Sequence, residues 1–150
     1  MNTSFVPSDF VAPESLAAQG FLLEPLGPQH NERDHEAWMS SLEHIRATPG
    51  LDAWAGHWPE PMSLEDNLSD LIRHAEDFEA RRGFTYSILD GDEVVGCLYI
   101  YPSTEAEYDA SVISWVRASR ADLDGVVRRT VSDWLSREWP FTNWSYAFGA

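Results

Sequence analysis

The residues whose types and spacing suit chemistry are concentrated between Glu105 and Val126. An apolar run, Ala110 to Val116, leads into a loop bearing Arg117 and Arg120, and then into an amphipathic helix that contains Gly125 and ends before Pro140. A strand turning through a short loop into a helix start presents unpaired backbone N–H groups, which suits an anion such as a phosphate. Asp122 and Asp124 oppose that use. A carboxylate about 4 Å from a phosphate costs on the order of 1 to 4 kcal/mol at effective dielectrics of 80 to 20. Glu105, Glu107 and Asp109 precede the run and are candidate bases, able to take a proton from an amine. In a chain this acidic, each also reads as a solvated connector residue.

Other chemistries find less support. His30, His35, His44, His57 and His74 form no H-E-x-x-H pattern and no close pair with a cysteine, so no metal site is expected. Only His57, between Gly56 and Trp58, stands where a ligand contact is suggested. There is no G-x-S-x-G, no P-loop and no dinucleotide fingerprint. Cys97 is the single cysteine and falls in a predicted strand, so it reads as a buried thiol with no disulfide to form.

Charge narrows the partners. The formal net charge is −15, and the ten basic residues are all arginines. That balance opposes a nucleic-acid backbone and favours an amine, a polyamine or a basic protein. An acidic surface also simply keeps a fold soluble. No apolar run approaches the roughly 18 residues of a membrane span, and Met1 to Phe10 lacks the charge and apolar core of a secretory signal. The expectation is a cytoplasmic protein with no membrane partner.

The elements that must position these residues follow from periodicity. Residues 1–20 read as an irregular arm, and 21–150 as one domain. Phe21 to Leu26 has strand character, closed by Pro25, Gly27 and Pro28. Trp38, Leu42 and Ile45 share a helical face over 32–47, stopped by Pro49 and Gly50. Leu51 to Met62, with Trp54, Trp58 and two prolines, is a loop that either lids a cleft or plugs the core. Ser63 caps a second helix whose inner face is Leu64, Leu68, Leu71, Ile72, Ala75 and Phe78, with Gly83 as its stop. Phe84 to Leu89 and Val94 to Tyr101 then flank Asp90-Gly91-Asp92-Glu93, a hairpin signal. Pro102 to Tyr108 is an acidic connector, and Asp109 to Arg117 alternates as a third strand. The last helix is capped by Asp122 or Asp124; it turns Val127, Val131, Trp134 and Leu135 inward, and Arg128, Arg129 and Arg137 outward. Thr142 to Phe148 alternates as a final strand.

The resulting order, β-α-α-β-β-β-α-β, is an α/β arrangement with a mixed, mostly antiparallel sheet and about three helices. Over about residues 21–148 it resembles the GNAT superfamily of acyl-CoA-dependent N-acetyltransferases, most tellingly in the hairpin with Glu93-Val94-Val95-Gly96 and the strand Val112 to Val116. The resemblance implies acetyl-CoA as cofactor, with its carbonyl met by backbone amides near Ile113 to Val116. It also implies a pyrophosphate loop of pattern R/Q-x-x-G-x-G/A, matched here by Arg120-Ala121-Asp122-Leu123-Asp124-Gly125. The cofactor-binding residues so implied are Trp115, Val116, Arg117, Arg120, Gly125 and Val126. Leu123 stands where the family has its first glycine, and the helix that usually follows the family's fifth strand has no counterpart before Ala150. The resemblance leaves two functions open: an N-acetyltransferase acting on an amine, or a catalytically inactive domain of the same fold that binds a small molecule or a protein. If the last strand ends the sheet, its edge requires cover, either by a homodimer or by the arm.

Overall fold

The computed structural model describes residues 5–48 and 60–146. Six strands form one sheet in sequence order: β1 (Leu16–Ala18), β2 (Phe21–Pro25), β3 (Phe84–Asp90), β4 (Glu93–Pro102), β5 (Ala110–Val116) and β6 (Trp144–Tyr146). Every pairing is antiparallel except β5 with β6, which is parallel. Helices α1 (Asn31–Met39), α2 (Leu42–Arg46) and α3 (Leu64–Ala80) lie between β2 and β3 in the chain, and α4 (Leu123–Glu138) lies between β5 and β6. The expected mixed sheet is therefore present, with one more strand than the periodicity indicates. Among the described residues no helix is long and apolar enough to cross a membrane.

Strand alternation builds two cores, one on each face of the sheet. Leu98, Ile100, Val112 and Val116 pack against Val127, Val131, Trp134 and Leu135 of α4. Cys97, Tyr99, Ile113 and Trp115 pack against Trp38, Ile45 and Leu71 on the other face. Cys97 is the buried thiol expected, and burial pushes its pKa well up.

The structure corrects several expectations. The arm is not irregular throughout: Leu16–Ala18 pairs with Phe21–Leu23 as an edge hairpin around Gly20, whose φ of +96° needs glycine. The helix expected over 32–47 breaks at Ser40 and Ser41 into α1 and α2, because the Ser41 hydroxyl leaves the helix to accept the amide of Ala118 at 2.9 Å. Ser63 does cap α3, accepting from the Asp66 amide at 3.1 Å, but the helix stops at Arg81 in the left-handed region, two residues before Gly83. Gly83 answers a different need, since a Cβ there would lie 2.1 Å from the Tyr101 ring. Asp122 flanks α4 without a side-chain capping bond. Arg128 is not on the outer face but 6% exposed, within the sheet-facing side of α4. Within the expected final strand, Trp144–Tyr146 is paired. Of the aromatic loop only residues 60–62 are described; Trp54, His57 and Trp58, like Ala147 and Phe148, lie outside the described residues.

Candidate active site

The parallel pair at the sheet's end sets the first part of the site. β6 matches β5 only through Ala110–Trp144, Ser111–Ser145 and Val112–Tyr146. Among the described residues Ile113 to Val116 has no strand on that side, so half of β5 presents backbone N–H and C=O groups to a gap. A hydroxyl pair stands at its base, Tyr146 Oη to Ser114 Oγ at 2.6 Å. Burial pushes the Tyr146 phenol above its ordinary value. Close by, Arg128 is a buried guanidinium whose Nε has no hydrogen-bond partner, and its charge is felt at Tyr146. A buried cation without a carboxylate partner costs several kcal/mol, so this position favours an anionic occupant.

The loop following β5 is turned to other ends. Arg120 N donates to Arg117 O at 2.9 Å, Ala121 N to Ala118 O at 3.3 Å and Asp124 N to Ala121 O at 3.2 Å. With the Ala118 amide on Ser41, four amides between Ala118 and Asp124 are spent within the protein, and of these only that of Asp124 lies in the Leu123 to Val126 segment at the start of α4. Arg120 reaches away to Asp90 at 2.7 Å and lies 3.8 Å from Asp122. Arg117 bridges Glu36 at 2.6 Å and Glu93 at 3.1 Å. Asp124 Oδ2 accepts from His44 Nε2 at 3.1 Å, while its Oδ1 is buried without a partner. Leu123 is buried in the core beneath the loop. The loop thus turns both Arg117 and Arg120 onto carboxylates of the protein, while the open half of β5 and Arg128 fit an elongated anionic cofactor.

The remaining expected residues separate. Trp115 and Val116 are fully buried, and Trp115 Nε1 donates to Tyr99 Oη at 3.0 Å. Gly125 and Val126 are half-buried in the first turn of α4. Glu105 and Glu107 are exposed in the β4–β5 connector, at the opposite end of β5 from Arg117. Over seven residues that is about 20 Å of strand. Asp109 is committed to structure: its Oδ2 accepts the amides of Thr142 at 2.8 Å and Asn143 at 3.3 Å, fixing the entry to β6. None of the three lines the cavity described next.

That cavity, which sequence reasoning missed, lies across the sheet. It holds about 500 Å³ between α1, α3 and β4, with walls that include Asp34, Trp38, Asp70, His74, Tyr99 and Tyr101. Asn67 organises one side: its Nδ2 donates to Asp34 Oδ2 at 3.2 Å while its Oδ1 accepts from Trp38 Nε1 at 3.0 Å. Desolvation pushes Asp34 up to about 6, with the Asn67 bond partly opposing it. Burial lowers His74 to about 4, so that it is neutral; its Nδ1 is 2.8 Å from the Tyr101 hydroxyl, which donates to Asp77 at 2.9 Å. Asp34 carried one signal in the sequence, an acid at the i−4 position from the helix-face Trp38. Its burial depends on contacts from α3, more than thirty residues away.

No protein-family model matches the chain, and no curated protein does. Solved structures do. The ribosomal-protein-S5-alanine acetyltransferase from Vibrio fischeri aligns with a TM-score of 0.60 at 14% identity, over 81% of this chain and 66% of that one. RimL, a ribosomal L7/L12 alpha-N-protein acetyltransferase in its apo form, aligns at 0.62 and 14%, over 83% and 65%. The microcin C7 self-immunity acetyltransferase MccE, solved with acetyl-CoA and AMP, aligns at 0.61 and 12%, over 83% and 66%. The chain thus spans just under two thirds of the length of these structures. Its six strands in order, the parallel β5–β6 pair that opens past Val112 and these alignments agree on one architecture: the chain has the fold of the GNAT superfamily of N-acetyltransferases.

Proposed function

We propose that the chain is an acyl-CoA-dependent N-acetyltransferase whose acceptor is an amine. The observation that carries this reading is the opening between β5 and β6, where unpaired backbone, the Tyr146–Ser114 pair and a buried unpaired arginine meet. Acetyl-CoA would supply an activated acetyl thioester. The residues that would hold it are Ile113 to Val116 through their backbone and Arg128 through its guanidinium, with Arg120 held aside by Asp90. Tyr146 keeps a proton on Oη at the base of the gap, available to a departing group. On the other side of the Trp115–Tyr99 pair, the acidic cavity receives the acceptor, and Asp34 is ionised at neutral pH and takes a proton from the amine. The exposed Glu105, Glu107 and the structurally bound Asp109 are replaced in this role by Asp34.

Calorimetric titration with acetyl-CoA tests the reading. Binding at millimolar cofactor or below is expected. Arg128→Ala should weaken it by about tenfold or more, since a hydrogen bond to a charged group is worth about 1.5–3 kcal/mol; Arg120→Ala should change it little. No heat at millimolar cofactor would overturn the reading. The second reading, an inactive GNAT-fold domain that binds a small molecule or protein partner, is favoured by the spent loop amides and by Leu123 beneath them. Turnover of acetyl-CoA with simple amines would eliminate it.

A further inference from the structure

Asp77, Tyr101 and His74 form a chain of hydrogen bonds in the wall of the cavity between α1, α3 and β4, and the transfer reaction uses none of them. The available donors fix where its protons sit. Arg82 Nε donates to Asp77 Oδ1 at 3.1 Å, and a carboxylate paired with a guanidinium only accepts. The single Tyr101 hydroxyl proton goes to Asp77 Oδ2 at 2.9 Å. His74 Nδ1 lies 2.8 Å from the same Oη, a contact that sets lone pair against lone pair unless Nδ1 carries the proton. Thr85 Oγ1, 3.2 Å from Nδ1, shares that proton. Burial, supported by the charge of Arg73 and opposed by that of Asp77, lowers the His74 pKa to about 4, so the ring is neutral. A neutral imidazole protonated on Nδ1 has a bare Nε2.

Nε2 makes no hydrogen bond among the described residues, although His74 lines the cavity. Asp34 supplies an independent observation. It is 4% exposed, accepts from the neutral Asn67 amide at 3.2 Å and meets no guanidinium among the described residues. Asp70 and Asp77 differ, lying 3.3 Å from Arg73 and 3.1 Å from Arg82. The space thus offers one carboxylate without a cation and one uncharged acceptor. From Asn67, which holds Asp34, to His74 is two turns of α3, or about 10 Å. Leu26 and Leu71 add apolar wall. An ammonium answers Asp34. A second ammonium at His74 would be buried with no carboxylate free to meet it, whereas a hydroxyl needs only the acceptor. Hydrogen bonds of about 2.8 Å at each end leave about 5 Å between the ligand's nitrogen and oxygen, a span of about three or four carbons.

We infer that this cavity binds a short aliphatic amino alcohol, its ammonium on Asp34 and its hydroxyl donating to His74 Nε2, a nitrogen kept bare by Tyr101 and Asp77. His74 then sets specificity: it accepts from a hydroxyl and opposes the corresponding ether, whose oxygen brings only lone pairs. The amino alcohol's role as acetyl acceptor rests on the transferase reading, whereas its binding does not.

The test is nitrogen-15 NMR on the full chain with labelled histidines, near pH 8 and without cofactor, titrated with 4-amino-1-butanol, 4-methoxybutylamine and butylamine. The His74 ring should show a protonated Nδ1 and a bare Nε2, and of the three ligands the amino alcohol should shift Nε2 most. It is expected to bind about three- to tenfold more tightly than either comparison amine, the gain that one neutral hydrogen bond supplies. His74→Phe should erase that preference and leave butylamine binding nearly unchanged; Asp34→Asn should weaken all three amines about tenfold or more. A protonated Nε2, equal affinity for the alcohol and its ether, no shift at Nε2 with millimolar amino alcohol, or a preference that survives in His74→Phe would overturn the inference. The ring protonation and the ligand series are read on the unaltered chain, so they decide even where a variant misfolds. Amino alcohol binding without acetyl-CoA binding would uphold this inference and remove the transferase reading. Acetyl transfer to butylamine without preference for the amino alcohol would do the reverse.

Discussion

Asp34 and His74, on facing walls of one cavity, are both shifted by desolvation, and their consequences for stability have opposite signs. Asp34 has its pKa raised to about 6 from 3.8, so between these values the folded chain holds a proton that the unfolded chain has lost. Stability from this group therefore falls as pH rises through that window, by on the order of 3 kcal/mol once pH exceeds 6. His74 is lowered to about 4 from 6.5, so in nearly the same window the unfolded chain binds the extra proton and stability rises with pH. The two largely cancel in the native chain. Asp34→Asn should remove the falling limb alone, since the new amide oxygen can still accept from Asn67. In urea denaturation at a series of pH values, the variant's advantage over the parent should grow from near zero at pH 4 to on the order of 3 kcal/mol above pH 6. A constant difference across the series would show that Asp34 is not a buried ionisable group. The expected gain in stability with loss of amine binding is the exchange that a functional buried charge makes.

The β5–loop–α4 element shows where the sequence was informative and where it was not. The strand, the turn and the helix were legible from alternation, from the run of polar residues and from the apolar face Val127–Val131–Trp134–Leu135, all local properties. Which arginine faces the gap was not. Arg120 fits the motif position yet pairs with Asp90 at the end of β3, thirty residues upstream, and Arg128 is buried with its charge felt at Tyr146 of β6. The split of the first helix was hidden for the same reason, since Ser41 is drawn out by an amide 77 residues away. Gly96, by contrast, belongs to a hairpin that the sequence pattern marks, and the structure requires a glycine there because a Cβ would come 2.2 Å from the Trp115 carbonyl. Gly96→Ala should therefore force β4 and β5 apart and cost about 1–3 kcal/mol or more, read as a lowered thermal midpoint and a loss of any acetyl-CoA binding. In the loop itself, Asp122→Asn with Asp124→Asn should strengthen acetyl-CoA binding several-fold by removing repulsion of about 1 kcal/mol per charge near water. Leu123→Gly should not help, because it empties a core position, and a buried leucine lost costs about 2–5 kcal/mol.

At the scale of the whole molecule, the N-terminal arm covers a different surface from the one whose exposure was expected to need it. Phe5 stacks on Phe141 at 5.2 Å, Phe10 meets Trp139 at 5.1 Å, and Val6 is buried. Arg81, held in its left-handed conformation at the end of α3, donates to the carbonyls of Pro7 and Phe10, and Tyr86 donates to that of Pro13 at 2.6 Å. These contacts close the end of the core beneath α4 and leave the outer side of Trp144–Tyr146 without a strand among the described residues. The two surfaces make separable predictions. Removal of residues 1–15 should expose Phe84, Trp139 and Phe141 and destabilise the domain by on the order of 5–9 kcal/mol, at about 1.5–3 kcal/mol for each of the three large apolar side chains uncovered; an unchanged thermal midpoint would contradict this packing. A parallel edge of three residues with no strand beyond it among the described residues, carrying the half-buried Trp144, is a surface on which a second copy can pair. We propose a homodimer through β6, which sedimentation equilibrium would detect as a doubled mass. Ser145→Pro, which removes a ladder donor at the middle of β6, should return it to the monomer while leaving the arm contacts intact. A monomer in the unaltered chain, with rapid amide exchange at Trp144 to Tyr146, would rule that assembly out.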